Sequence, residues 1–253
     1  MSATTSQSAG QDWTAYNVET AFQQPEDINE YFSLTSPPDR KIWRLIRSRD
    51  EFTAPMLLRK LDRPFVIAEA TVTVPLEMDF DQAGIVLFLD TSPSEPWISP
   101  TSYEGRRRRH GSNRPGKWVT VSLQMSENDV GLGTVVTYPD RGPDFSFTAL
   151  PISKDGPEYS DCNHVSLRLK LENVNDMLWI FYMIPDIHRH ECQSVEEITA
   201  QWKKVREING FFSDLSMKPS VLVGCYASRP LEMDEDEQSD LTAEFEDLEL
   251  LQR

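Results

Sequence analysis

Residues 177–184 (MLWIFYMI) are apolar on both of the faces that a β-strand presents. Leu178, Ile180, Tyr182 and Ile184 point one way, and Trp179, Phe181 and Met183 the other. Residues 83–89 (AGIVLFL) behave in the same manner. Successive side chains of a strand alternate between faces, and a sandwich strand ordinarily has one buried face and one wet one. A chain with such runs must cover their second face, either with its own segments or with a ligand. Two readings therefore stay open: coverage by the N-terminal segment and the insertion at 186–202, or a concave apolar groove.

The surrounding pattern is also of strand type. Residues 65–74 are rich in β-branched side chains. In 118–125, Val119, Val121, Leu123 and Met125 alternate with Thr120, Ser122 and Gln124. In 165–171, Val165, Leu167, Leu169 and Leu171 alternate with Ser166, Arg168 and Lys170. Further runs lie at 134–138, 220–227 and 242–250, with turn residues at 90–96, 105–116, 139–143, 155–156 and 173–176. Many short strands between turn signals predict an all-β sandwich or barrel. One stretch departs from this: Ser194 and Glu197 form a capping box, and Ile198, Trp202 and Val205 have helical spacing. That predicts a short helix running into a strand near 205–212. The Ser/Thr/Gln/Ala-rich residues 1–12 read as disordered and 13–253 as one sandwich domain.

Charge and cysteine usage exclude several classes. A formal net charge of −16 argues against a nucleic-acid partner, since an anionic surface repels phosphate. The three cysteines, Cys162, Cys192 and Cys225, are an odd and scattered set and make no disulfide framework. The N-terminus has neither the basic nor the apolar region of a secretory signal, and the longest apolar run is too short to cross a bilayer. The expectation is a cytoplasmic, reducing compartment and no membrane partner.

Several motifs carry a resemblance. Phe80-Asp81-Gln82-Ala83-Gly84 leads into an apolar strand; Trp97-Ile98, Lys117-Trp118, TVVT at 134–137 and Asp144-Phe145-Ser146 follow. Later come Leu178-Trp179-Ile180, Val205-Arg206-Glu207, VGCYASRP at 223–230 and FEDL at 245–248. In this order they resemble the concanavalin A-like domains of unknown function that include the fungal "regulation of enolase" proteins, over a span from about residue 45 to the C-terminus. The resemblance implies a jelly-roll sandwich of two antiparallel sheets, one convex and one concave, here with a short helix and long rim loops. Lectin and glucanase relatives of that fold bind sugars on the concave face. This chain departs at the rim. Trp97-Ile98-Ser99-Pro100 breaks into a long loop at 101–115, relatives carry Asp-Trp-Ser where Asp144-Phe145-Ser146 stands, and an insertion lies around 187–193.

The candidate ligand-binding residues are Gln82, Trp97, Trp118, Asp144, Trp179 and Tyr182, the aromatics for flat contact area with a polar handle. Core packing is the plainer account of Trp118, and by alternation one of Trp179 and Tyr182 must be core. For Asp81 and Gln82 the plainer account is capping of a turn. Arg106, Arg107, Arg108 and Arg109 form a solvated loop or a site for an anionic ligand or acidic partner. Glycoside hydrolysis needs two facing carboxylates, and no strand carries that pattern. His188, His190, Glu191 and Cys192 lack zinc spacing, and no phosphate loop or dinucleotide fingerprint occurs, so neither metal nor cofactor is expected. The leading expectation is an apolar small-molecule ligand on the concave face, held in a cofactor-free cyclase or isomerase of fungal secondary metabolism. The alternatives are a non-enzymatic regulator with a protein partner and a carbohydrate-binding module.

Overall fold

The computed structural model describes residues 13–19, 22, 27–44, 50–90, 116–139, 141–150, 164–185, 201–213, 220–232 and 239–253. The expected disordered start, Trp97, the four arginines at 106–109 and the capping box at 194–197 lie outside the described residues.

Among the described residues the strands form two antiparallel sheets and a separate hairpin. The front sheet has seven strands in the order β1 (Trp13–Tyr16), β5 (Met56–Leu61), β14 (Ser220–Ser228), β7 (Gln82–Asp90), β8 (Lys117–Ser126), β9 (Asp129–Thr137) and β10 (Asp144–Ala149). The back sheet has six, in the order β13 (Lys203–Ile208), β12 (Met177–Met183), β11 (His164–Val174), β6 (Phe65–Pro75), β15 (Leu241–Gln252) and β2 (Tyr31–Ser36). The hairpin pairs β3 (Ile42–Arg44) with β4 (Asp50–Phe52). The all-β sandwich predicted by the alternating runs is the fold observed. No helix among the described residues is long and apolar enough to cross a membrane.

The core lies between the sheets. Ile85, Leu87, Val121, Leu123, Val223 and Cys225 face it from the front sheet; Val72, Leu167, Leu169, Leu178, Ile180 and Phe245 face it from the back. All of these are fully buried. Burying each large aliphatic side chain contributes about 1.5–3 kcal/mol, so the two-residue alternation orients every strand. The thiol of Cys225 belongs to this core, and burial pushes its pKa up, which keeps it unreactive. Two tight connections have both central residues at positive φ, Glu127 and Asn128 between β8 and β9 and Asn175 and Asp176 between β11 and β12. That is the backbone of the two-residue hairpin turn whose twist matches the strands.

The strand expected near 205–212 is β13, Lys203–Ile208, it follows a helical Gln201, and it gives way to a turn at 209–213; Val205 belongs to the strand and not to the helix. The doubly apolar runs are covered by the chain itself. In β12, Leu178, Ile180 and Tyr182 enter the core while Trp179 and Phe181 lie on the outward face of the back sheet. There the alkyl-ammonium chains of lysines cover them: Lys204 Nζ sits 4.2 Å from the Trp179 ring centre and Lys170 Nζ 4.7 Å from that of Phe181.

Candidate functional site

On the outward face of the front sheet the strand register sets four cross-strand rows. The first holds Leu222, Phe88, Trp118 and Thr137. The second holds Leu58, Gly224, Val86, Thr120, Val135 and Phe145. The third runs through Met56, Tyr226, Gly84, Ser122, Gly133 and Phe147, and the fourth through Ser228, Gln82, Gln124, Gly131 and Ala149. The face therefore divides into an apolar half and an uncharged polar half.

The apolar half is closed by the chain itself. Ile42, Trp43 and Phe52 of the β3–β4 hairpin pack on Val86, Phe88, Trp118 and Val135. The Phe52 ring meets Phe88 edge-on at 5.7 Å and Trp118 at 5.9 Å. The Asn17 side-chain amide donates to the carbonyls of Phe52 and Ala54 at 2.9 and 3.0 Å. On the other side Arg44 holds Asp50 through two hydrogen bonds, at 2.8 and 3.0 Å, and donates to the Tyr138 carbonyl at 2.8 Å. Of the two readings the sequence left open, cover by the chain itself is the one seen over this half, supplied by the β3–β4 hairpin. An apolar metabolite would have to displace the hairpin. Trp118 Nε1 is buried without a hydrogen-bond partner among the described residues.

The polar half is built around Tyr226. Its hydroxyl donates to Gln82 Oε1 at 2.7 Å, and Ser122 Oγ lies 3.4 Å from the same oxygen. Gln82 Nε2 donates to the Phe80 carbonyl at 3.3 Å, so both ends of that amide are engaged. Burial pushes the Tyr226 phenol up to about 12, against hydrogen bonds from Ser122 and Thr120 that favour the phenolate. Gln124 differs from its neighbours. Its side chain lies over Gly133, where an added Cβ would come within 2.0 Å of Gln124 Oε1. The residue is only 3% exposed, and its amide makes no hydrogen bond among the described residues but stays in reach of solvent.

The raised phenol gives a pH prediction. Because the folded pKa exceeds the ordinary value of 10.0, the unfolded chain loses this proton first, and stability falls as pH rises from about 10 to about 12. Ultraviolet titration is expected to show one tyrosine ionising about two pH units late, and Tyr226→Phe to remove that component. A Tyr226→Phe titration identical to that of the parent would contradict this placement.

A buried ionic cluster anchors the end of the polar rows. Arg229 and Asp81 are both fully buried and meet through two hydrogen bonds, at 2.9 and 2.8 Å. Arg229 also donates to Glu77 at 2.9 Å and to the Ser239 carbonyl at 2.8 Å. Asp81 Oδ2 accepts the backbone N–H groups of Glu77 and Met78 at 3.1 and 3.0 Å, which is the turn cap read from the sequence. Asp81 precedes Gln82 and Arg229 follows Ser228, and Gln82 and Ser228 are register partners, so the ion pair fixes where Gln82 starts its strand.

The structure scatters the residues singled out from the sequence. Gln82 and Trp118 share the front-sheet face, but Trp118 lies beneath the hairpin. Asp144 begins the edge strand β10 and is clasped by Arg206 of β13, whose guanidinium also donates to Thr134 and Ser146 at 2.9 and 3.1 Å. This is a link between the sheets rather than a groove residue. Trp179 lies on the outward back-sheet face and Tyr182 in the core, so neither joins Gln82. Sequence reasoning missed Tyr226 and Gln124. Gln124 was visible as the polar side of an alternating run, a side that normally faces water. Among the described residues no group of three or more His, Cys, Asp or Glu side chains is placed to hold a metal ion.

Comparison with known proteins adds family and fold. The model of a family described as "Protein of unknown function (DUF1349)" matches residues 19–253. An uncharacterized protein of Emericella nidulans is 23% identical over 209 residues, 81% of this chain and 82% of that protein. Among solved structures, a functionally unknown protein from Saccharomyces cerevisiae has a TM-score of 0.58 at 16% identity, covering 96% of this chain and 97% of that one. An alginate lyase from Pseudomonas aeruginosa has a TM-score of 0.51 at 11% identity, covering 94% and 88%. At these identities the structural likeness establishes the jelly-roll fold alone.

Proposed function

We propose, from the premise that this chain belongs to the DUF1349 family of proteins of unknown function, that it binds a neutral, hydroxyl-bearing small molecule of the saccharide or polyol class on the polar half of its front-sheet face. One observation supports the reading: Gln124, a residue only 3% exposed, makes no side-chain hydrogen bond among the described residues and keeps its amide in reach of solvent beside the closed network of Tyr226, Gln82 and Ser122. An amide offers one acceptor and two donors, which matches a hydroxyl that both gives and receives a hydrogen bond. The third and fourth rows carry no charged side chain, so a neutral ligand suits them better than an anion. They also carry no carboxylate pair, which makes the reading one of binding rather than hydrolysis. The cyclase or isomerase expectation needed an open apolar chamber, and the hairpin occupies that half.

The test is titration with a panel of neutral oligosaccharides and polyols, followed by NMR of the glutamine side-chain amides. At least one ligand is expected to shift the Gln124 amide resonances. Gln124→Leu is expected to weaken that ligand about five- to tenfold, the worth of one hydrogen bond, and to leave thermal stability unchanged. A panel that moves no Gln124 resonance, or a Gln124→Leu variant that binds as tightly as the parent, defeats the proposal.

A further inference from the structure

Two glycines of β9 leave a trough in the polar half of the front-sheet face, and two side chains from opposite neighbouring strands lie in it. Gln124 of β8 lies over Gly133. Phe147 of β10 lies over Gly131, where an added Cβ would strike the Cζ and Cε2 atoms of its ring. The register pairs Gly131 with Gln124 and Gly133 with Phe147, so the two side chains cross β9 on opposite diagonals. Two residues of strand separate the glycines by about 7 Å, which sets the amide and the end of the ring side by side. Gln124 makes no side-chain hydrogen bond among the described residues. Phe147 is half-buried, and β10 is the last strand of its sheet, so the ring keeps a solvent-facing side.

We infer that Phe147 is the specificity-determining residue of this site and selects a cyclic saccharide over an acyclic polyol, an inference that rests on the saccharide-or-polyol reading of the polar half. A saccharide ring carries C–H bonds on its faces and hydroxyls around its rim. The face of an aromatic ring is electron-rich and attracts weakly positive C–H hydrogens. An amide beside it pairs with a rim hydroxyl as donor and acceptor. The juxtaposition of Phe147 and Gln124 over Gly131 and Gly133 therefore meets both parts of one sugar ring. An acyclic polyol brings the hydroxyls but no rigid apolar face, so it engages the amide alone. Phe145 marks the limit of the site. It lies on the same strand and the same face and is 43% exposed, but its register partner Val135 belongs to the apolar half beneath the hairpin.

NMR titration of the full chain tests it, with the methyl glycosides of glucose, galactose, mannose and xylose, each set against its own alditol. In the parent, at least one glycoside is expected to shift both the Phe147 ring and the Gln124 amide resonances. That glycoside is expected to bind at least about fivefold tighter than its alditol. Phe147→Leu is expected to lower the ratio at least about threefold, because it keeps apolar volume and removes the electron-rich face. Phe147→Tyr, which keeps that face, and Phe145→Leu, outside the trough, are expected to retain the ratio. The ring shift is read on the parent and does not depend on any variant folding. A glycoside that moves the Gln124 amide without the Phe147 ring, or a ratio that survives Phe147→Leu, overturns the inference and leaves the ligand reading standing. Phe145→Leu lowering the ratio as much as Phe147→Leu also overturns it, since any exposed ring would then serve. If no glycoside or alditol moves the Gln124 amide, the ligand reading itself falls and takes this inference with it.

Discussion

Arg229→Met is expected to lower stability by about 3–5 kcal/mol, because it leaves Asp81 ionised, buried and unpaired. For a chain of this length that is a fall of about 6–20 °C in Tm. Both partners are 0% exposed, so neither water nor a rotamer change can relieve the orphaned charge. Asp81→Asn is expected to fall in the same direction but by less, since Glu77 still pairs the guanidinium. The combined Asp81→Leu, Arg229→Met variant is expected to recover part of the loss, because removing both charges removes the unpaired one. Recovery will be incomplete: Asp81 also caps the N–H groups of Glu77 and Met78, and Arg229 also ties down Ser239. Urea denaturation of the three variants is the measurement. A midpoint for Arg229→Met within 1 kcal/mol of the parent would mean that the pair does not hold the end of the sandwich as described.

That pair also marks what the sequence made legible and what it withheld. The Asp81-Gln82 strand start and the Ser228-Arg229 strand end were both visible as distinct motifs. Nothing local says that side chains 148 positions apart face one another; only the antiparallel register of β7 with β14 does. The strands themselves were readable because alternation is a local consequence of the two-residue repeat. The face they turn outward was not. Thr120, Ser122 and Gln124 alternate with apolar residues as a solvated face would, yet all three are buried: an element formed elsewhere in the chain shields the Thr120 end, and on the polar half the Phe147 ring lies over Gly131 beside Gln124. The shielding hairpin has strands of three residues, too short for any periodic pattern. In β12 the sequence left open whether the second apolar face is covered by the chain or forms a groove. The lysines that cover it come from β11 and β13, and their charges hid their role as hydrophobic cover.

Gly84→Ala and Gly224→Ala are expected to be the most damaging substitutions of glycine on the front sheet, and Gly133→Ala the mildest. The reason lies in what an added Cβ would strike. At Gly84 it would lie 2.0 Å from the Val121 carbonyl oxygen and 2.7 Å from Ser122 Cα; at Gly224 it would lie 1.9 Å from the Leu57 carbonyl oxygen. These are backbone atoms of paired strands, and relieving the clash means prising β7 from β8 or β14 from β5. Overpacking of this kind costs about 1–3 kcal/mol in a core that can adjust, and more where only backbone can yield. At Gly133 the nearest atom, also at 2.0 Å, is the end of the flexible Gln124 side chain, which can swing aside. Gly133→Ala should therefore keep its melting transition within a few degrees of the parent while re-aiming the amide assigned to the ligand. Thermal melts and ligand titrations on the same three variants separate scaffold from site. Loss of fold at 84 and 224 with loss of binding alone at 133 is the expected division. Equal destabilisation at all three positions would mean that Gln124 is locked into the packing and is not held in reserve for a ligand.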